Sequence, residues 1–117
     1  MRNEDDISCL SRELNLTDVP QDWGIINADA ARVNDFIWHG LNKPLSIAQA
    51  YVMGELVMAS VNEAMSESKF DDGTQKAFHL FLQSNLVGLQ HHISYWSKLE
   101  NDEYPLASYL RNGAASY

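Results

Sequence analysis

Apolar residues recur at three- and four-residue intervals along most of the chain, the spacing that places them on one face of an α-helix. The longest such run lies between Ser46 and Glu67. Ile47, Ala50, Tyr51, Gly54, Met58, Val61 and Met65 form its stripe, widened by Val57 and Ala64, with Gln49, Ser60, Glu63 and Glu67 opposite. Ser46 followed three residues later by Gln49 fits a capping box, and Leu45 before it supplies a hydrophobic staple. A second long helix is expected over about 75–99. Phe78, Phe81, Leu82, Leu89, Ile93 and Trp96 form its apolar side, and His79, Gln83, Gln90, Ser94 and Lys98 its polar one. Only the turn-rich segment 68–74 separates the two helices, with Asp72 or Thr74 as the next cap, so they are expected to lie side by side and antiparallel. Ala50 and Gly54, one turn apart, predict close approach by a neighbouring helix.

Shorter elements flank this pair. Over 28–41, Ala30, Val33, Ile37 and Leu41 repeat at helical spacing, Asn27 or Asp29 offers a cap, and Pro44 prevents continuation. Pro105 opens a last short helix through Leu110, stopped by Gly113, with Ala114 to Tyr117 as a frayed tail. Near the start, Ile7, Leu10 and Leu14 fit one short helix, and Pro20 ends it. Trp23, Ile25 and Ile26 then pin residues 1–26 to the body as a loosely attached arm. Period-two alternation is absent. The expected architecture is all-α, a single domain over 1–117: a small bundle of about four to five helices around a long antiparallel helical hairpin.

At 117 residues the chain can bury a core without metal or disulfides. Charge narrows the list of partners. Sixteen Asp and Glu against eight Lys and Arg give a net charge of −8. A nucleic-acid backbone is repelled by such a surface on average, so direct nucleic-acid binding is not expected, whereas a protein with a basic surface is a fitting partner. The single cysteine, Cys9, excludes an internal disulfide and suits a reducing compartment. The first residues are acidic with no apolar run behind them, unlike a signal peptide, and no stretch is long enough for a bilayer. A cytoplasmic location and no membrane partner are expected.

Helix placement brings out one anomaly. Asn85 and His92 are seven residues apart, on the apolar face of the second long helix. Glu55 and Asn62, also seven apart, lie at the edge of the facing stripe. A buried polar group without a partner costs about 1–3 kcal/mol, so each needs a hydrogen bond, water or ligand. The seam Glu55, Asn62, Asn85 and His92 has three readings: a network that fixes helix register, a surface covered by a partner, or a pocket with His92 as acid/base and Glu55 orienting it. Known chemical motifs are missing. HExxH, Glu-x-x-His, GxSxG, the P-loop and GxGxxG do not occur. Adjacent His91 and His92 point about 100° apart on a helix and do not easily share an ion. No catalytic residue, cofactor or metal is therefore expected.

Trp38 and Tyr95 fall off the apolar stripes of their helices, and Met53 and Leu56 lie on the more polar side of theirs. Aromatics and Met beside acids make up protein-binding patches. The candidate partner-binding residues are Asp5, Asp6, Asp35, Trp38, Met53, Glu63, Glu67 and Tyr95. The expected function is that of a small acidic intracellular inhibitor, of the immunity, antitoxin or phage anti-defence type. It would neutralise a macromolecular partner and mask a basic nucleic-acid-binding surface. One alternative is an accessory or assembly subunit, including a homodimer that buries the Gly54 and Gly88 faces mutually. The other is a small-ligand binder or enzyme using His92 and Glu55.

Overall fold

Ser46 and Gln49 form their capping box: Ser46 Oγ accepts the Gln49 N–H and Gln49 Oε1 accepts the Ser46 N–H, both at 3.0 Å. The helix they open is the centre of the molecule. The computed structural model describes residues 4–100 and 103–113. Among them the chain forms α1 (Glu4–Leu14), α2 (Trp23–Asn27), a 3-10 turn (Ala30–Arg32) leading into α3 (Val33–Leu41), α4 (Ile47–Ser66), α5 (Asp72–Ser84), α6 (Leu86–Ser97) and α7 (Pro105–Gly113). No strand occurs among the described residues, so the fold is all-α. Seven α-helices replace the expected four to five. The tail beyond Gly113 lies outside the described residues.

The expected single helix over 75–99 is two helices. Asn85 takes φ −129° and ends α5, and its side-chain Nδ2 donates to the Phe81 carbonyl at 3.1 Å. A short amide that bonds its own backbone competes with helix continuation. The break changes the packing. Thr74 Oγ1 donates to Asn34 Oδ1 at 2.9 Å, and Gly40 sits under the Phe81 ring, so α5 runs back beside α3. After Asn85 the chain reverses. Gly88 lies on Ala50 and the Ile47 carbonyl, and His92 on Tyr51 and Gly54, so α6 advances along α4 in the same direction. The close approach expected at Ala50 and Gly54 is therefore present, but the helix that makes it is parallel to α4. The cap of α5 also differs: Asp71, not Asp72 or Thr74, accepts the Thr74 N–H at 2.8 Å.

Helix α4 is enclosed by α2, α3, α6 and α7. Burial thus extends round it, to Val52, Met53, Leu56 and Ser60 as well as the expected stripe. Residues near the N-terminus, expected as a loosely attached arm, contribute Ile7, Leu10, Leu14 and Trp23 to the same core cluster as Phe36, Phe78, Phe81 and Leu110. Their apolar spacing was sufficient to bury them because α1 packs on α4.

Candidate functional site

Each of the four polar residues of the expected seam bonds a backbone group. Three α4 side chains hold the starts of surrounding elements, where backbone N–H groups lack helical partners. Glu55 Oε1 accepts the Gly24 N–H at 2.8 Å in the first turn of α2. Ser60 Oγ accepts the Asp29 N–H at 3.1 Å, and Asn62 Oδ1 accepts the Leu106 N–H at 3.2 Å in the first turn of α7. Asn85 serves the break described above. His92 is buried, and its Nε2–H donates to the Tyr51 carbonyl at 2.7 Å. The carbonyl only accepts, which places a proton on Nε2. These bonds meet the cost of burying each group and fit the structural reading. The Gly54 and Gly88 faces are also taken up inside the chain, by Leu89 with His92 and by Ala50, so they are not free for a second copy.

The candidate partner-binding residues are dispersed. Met53 is fully buried and cannot meet a partner, because α4 is covered on the side that periodicity assigns to solvent. Asp5 is exposed and Asp6 half-buried on α1, while Asp35 and Trp38 are exposed on α3. Glu63 and Glu67 are exposed near the end of α4. Burial, then the charges of Glu67 and Asp29, push the Glu63 carboxyl above its ordinary range. Tyr95 on α6 stands apart from all of these, with 56% of its surface exposed.

Tyr95 does take part in an assembled surface. A cleft of about 180 Å³ is lined by Asp22, Ile25, Tyr51, Glu55, His91, His92, Tyr95 and Trp96. Its floor is the α4–α6 seam, where the Tyr51 and His92 rings lie 4.4 Å apart and Tyr51 and His91 5.9 Å apart. Tyr95 meets Trp96 edge-on at 6.3 Å and forms the far wall. The near wall comes from α2. Asp22 adopts a left-handed conformation, φ 55°, which Asp tolerates better than most residues, and its side chain does not cap the helix. Ile25 beside it is 62% exposed. Sequence reasoning missed Asp22, Ile25, Tyr51 and His91 as one group. Part of the signal was present: Val87, His91 and Tyr95 recur every fourth residue on α6, as do Ile47, Tyr51 and Glu55 on α4. Only the parallel packing of these helices brings the two rows together.

A second polar cluster joins α1 to α3. Glu13 accepts from His39 Nε2 at 2.7 Å, from Lys43 Nζ at 3.3 and 3.4 Å, and from the Cys9 thiol at 3.2 Å. The Cys9 bond first, then His39 and Lys43, hold the Glu13 carboxyl below its ordinary range. The same Glu13 bond and charge push the Cys9 thiol up, so it stays protonated and is a poor nucleophile. A carboxyl whose folded value is depressed stabilises the fold above its unfolded value, about 4.3, and loses that contribution as pH falls through the folded value. Glu13→Gln is expected to destabilise the protein at pH 7. The gap between the two proteins should close only below about pH 4.3, as followed by urea unfolding across pH 7 to 3.

Among the described residues, no group of three or more His, Cys, Asp or Glu is placed to hold a metal ion. No helix there is long and apolar enough to cross a membrane. Comparison with protein-family models, with curated proteins and with solved structures finds no match for this chain.

Proposed function

We propose that this protein is a binding module that neutralises a macromolecular partner bearing a basic surface, and that it docks through the α2–α6 face around Tyr95. The observation that carries this reading is the conjunction of exposed Ile25 and Tyr95 with the Asp22 and Glu55 carboxylates about one cleft. Aromatic anchors in a concave site supply affinity, and surrounding charge supplies steering. The net charge of −8 extends that steering over the whole molecule. The immunity, antitoxin and phage anti-defence classes fit such a device, with a nucleic-acid-binding surface as the region masked. No catalytic role is assigned to His92 or Glu55, whose polar atoms already hold backbone groups.

The test is retention of host proteins on the immobilised chain, compared with its Tyr95→Ala and Ile25→Asp variants. A basic protein that is retained at low salt, released by rising salt, and bound at least about tenfold more weakly by either variant supports the reading. If nothing retained depends on Ile25 or Tyr95, the reading fails. Light scattering that shows twice the 13.2 kDa chain mass at micromolar concentration, lost in Tyr95→Ala, would assign the face to a homodimer instead.

A further inference from the structure

The buried positions of α5 and α6 keep one helical register across the break between them. Phe78 and His92 stand seven residues either side of Asn85, Phe81 seven before Gly88, and Leu82 seven before Leu89, and all of these flanking residues are buried. Seven residues make about two helical turns, so these positions would share one face of an unbroken helix. The bend itself is one residue long. Asn85 Nδ2 donates to the Phe81 carbonyl at 3.1 Å, which in an unbroken helix would accept the Asn85 N–H, and that N–H goes instead to the Leu82 carbonyl at 3.4 Å. Helix α6 opens with no side-chain cap. Its first N–H groups and the last carbonyls of α5 thus lack the helical bonds that straightening would supply.

The two sides of the bend belong to different neighbours. Helix α5 packs on α3, whereas α6 packs on α4 and α7. Helices α6 and α7 are tied to each other: Arg111 Nη1 donates to the Ser97 and Leu99 carbonyls at 2.7 and 3.2 Å, and Trp96 meets Tyr104 edge-on at 5.9 Å. We propose that Asn85 is a hinge through which two copies of this chain exchange α6 and α7, each straightening α5 and α6 into one helix, and so join as a dimer. A second copy is the occupant that fits. Once a chain's own α6 has left, the α6 of the copy brings the same Gly88, Leu89 and His92 to Ala50, Gly54 and Tyr51. Every contact of the exchanged unit is made again between copies, and only the hinge changes. Straightening gains backbone bonds at two hinges and loses the Asn85 amide bonds, while concentration sets the cost of association. This exchange goes beyond the docking reading and does not depend on it.

The test refolds the natural full chain from urea at about 1 mM, where mass action favours association, and sizes the products by light scattering. The expected product includes a fraction at twice the 13.2 kDa chain mass. In dimers assembled from isotope-labelled and unlabelled copies, nuclear Overhauser contacts from Leu89 to Gly54 and from His92 to Tyr51 should pass between copies. Two hinge variants lose the same amide but differ in helix propensity. Asn85→Ala favours the straight helix and Asn85→Gly disfavours it, so the dimer dissociation constant of the Ala variant should be about thirtyfold lower, counting both hinges. Tyr95→Ala should leave the exchanged dimer intact, because Tyr95 is mostly in solvent. That separates exchange from association through the Tyr95 face. A natural chain that refolds only to monomer overturns the inference. So does a dimer whose Leu89–Gly54 contact stays within each copy, a dimer lost in Tyr95→Ala, or equal constants for the two hinge variants. If Asn85→Ala does not fold, the natural chain's product and its contacts between copies decide by themselves.

Discussion

Gly24→Ala is expected to destabilise the protein by about 3 kcal/mol or more, the sum of an overpacking cost and a lost charged hydrogen bond. A methyl group on Gly24 would stand 2.5 Å from the Glu55 carbonyl carbon and 2.6 Å from the Leu56 nitrogen, and would also meet Glu55 Cγ. Two of these atoms are backbone of the central helix and cannot rotate aside. Either α2 or α4 must shift, in an interior packed to crystal-like density. Any outward shift of α2 also stretches the 2.8 Å bond from the Gly24 N–H to Glu55. For a chain of this size the loss corresponds to a fall of about 10 °C in Tm. Gly73→Ala is the control. Its added methyl meets only Asp71 Oδ1 at 3.5 Å, an ordinary contact, and it lies on the exposed first turn of α5. That change is expected to be neutral or to stabilise by up to about 1 kcal/mol. Thermal melts of both variants by circular dichroism check the pair, and equal effects would refute the argument from close approach.

Trp23→Ala is expected to cost about 3–5 kcal/mol, the range for emptying a buried aromatic site. The indole is 1% exposed and joins α1 and α2 to the common core. Its Nε1–H donates to Ser11 Oγ at 2.8 Å, and Ser11, also buried, passes the chain on by donating to the Thr17 carbonyl. Packing and hydrogen bonding can be separated. Trp23→Phe keeps much of the ring volume but removes the donor, so it should cost about 1–2 kcal/mol. Ser11→Ala should destabilise the natural chain by more than it destabilises the Trp23→Phe background, where the indole donor is already gone and only the bond to the Thr17 carbonyl remains to be lost. A urea-unfolding double-mutant cycle reads that coupling, and strict additivity would show that the bond contributes nothing.

At the candidate site, periodicity locates some exposed residues and not others. Tyr95 falls off its apolar stripe, and it is exposed. Trp38 falls off its stripe likewise and is 50% exposed. Met53 failed the same test, since a position off the stripe is solvent-facing only if the helix has an uncovered side. His92 is a buried polar group on the inner face of α6, whereas Asn85 is the break between α5 and α6 and lies on no helix face; the partners of both lie in backbone that periodicity does not locate. Asp22 and Ile25 carried no signal at all, because α2 is five residues long and its neighbour across the cleft is about seventy positions away in sequence.

By itself the sequence determined the all-helical class, the Ser46–Gln49 start of α4, and most of the apolar positions that enter the core. Each depends on interactions within a few residues: a cap to the next turn, or side chains that recur on one helical face. Tertiary structure alone decided that α6 runs parallel to α4 after the turn at Asn85, that the middle of α4 is covered all round, and that α2 closes a cleft against α6. Those outcomes sum many contacts between distant segments, each weak on its own. No local pattern records which helix will meet which.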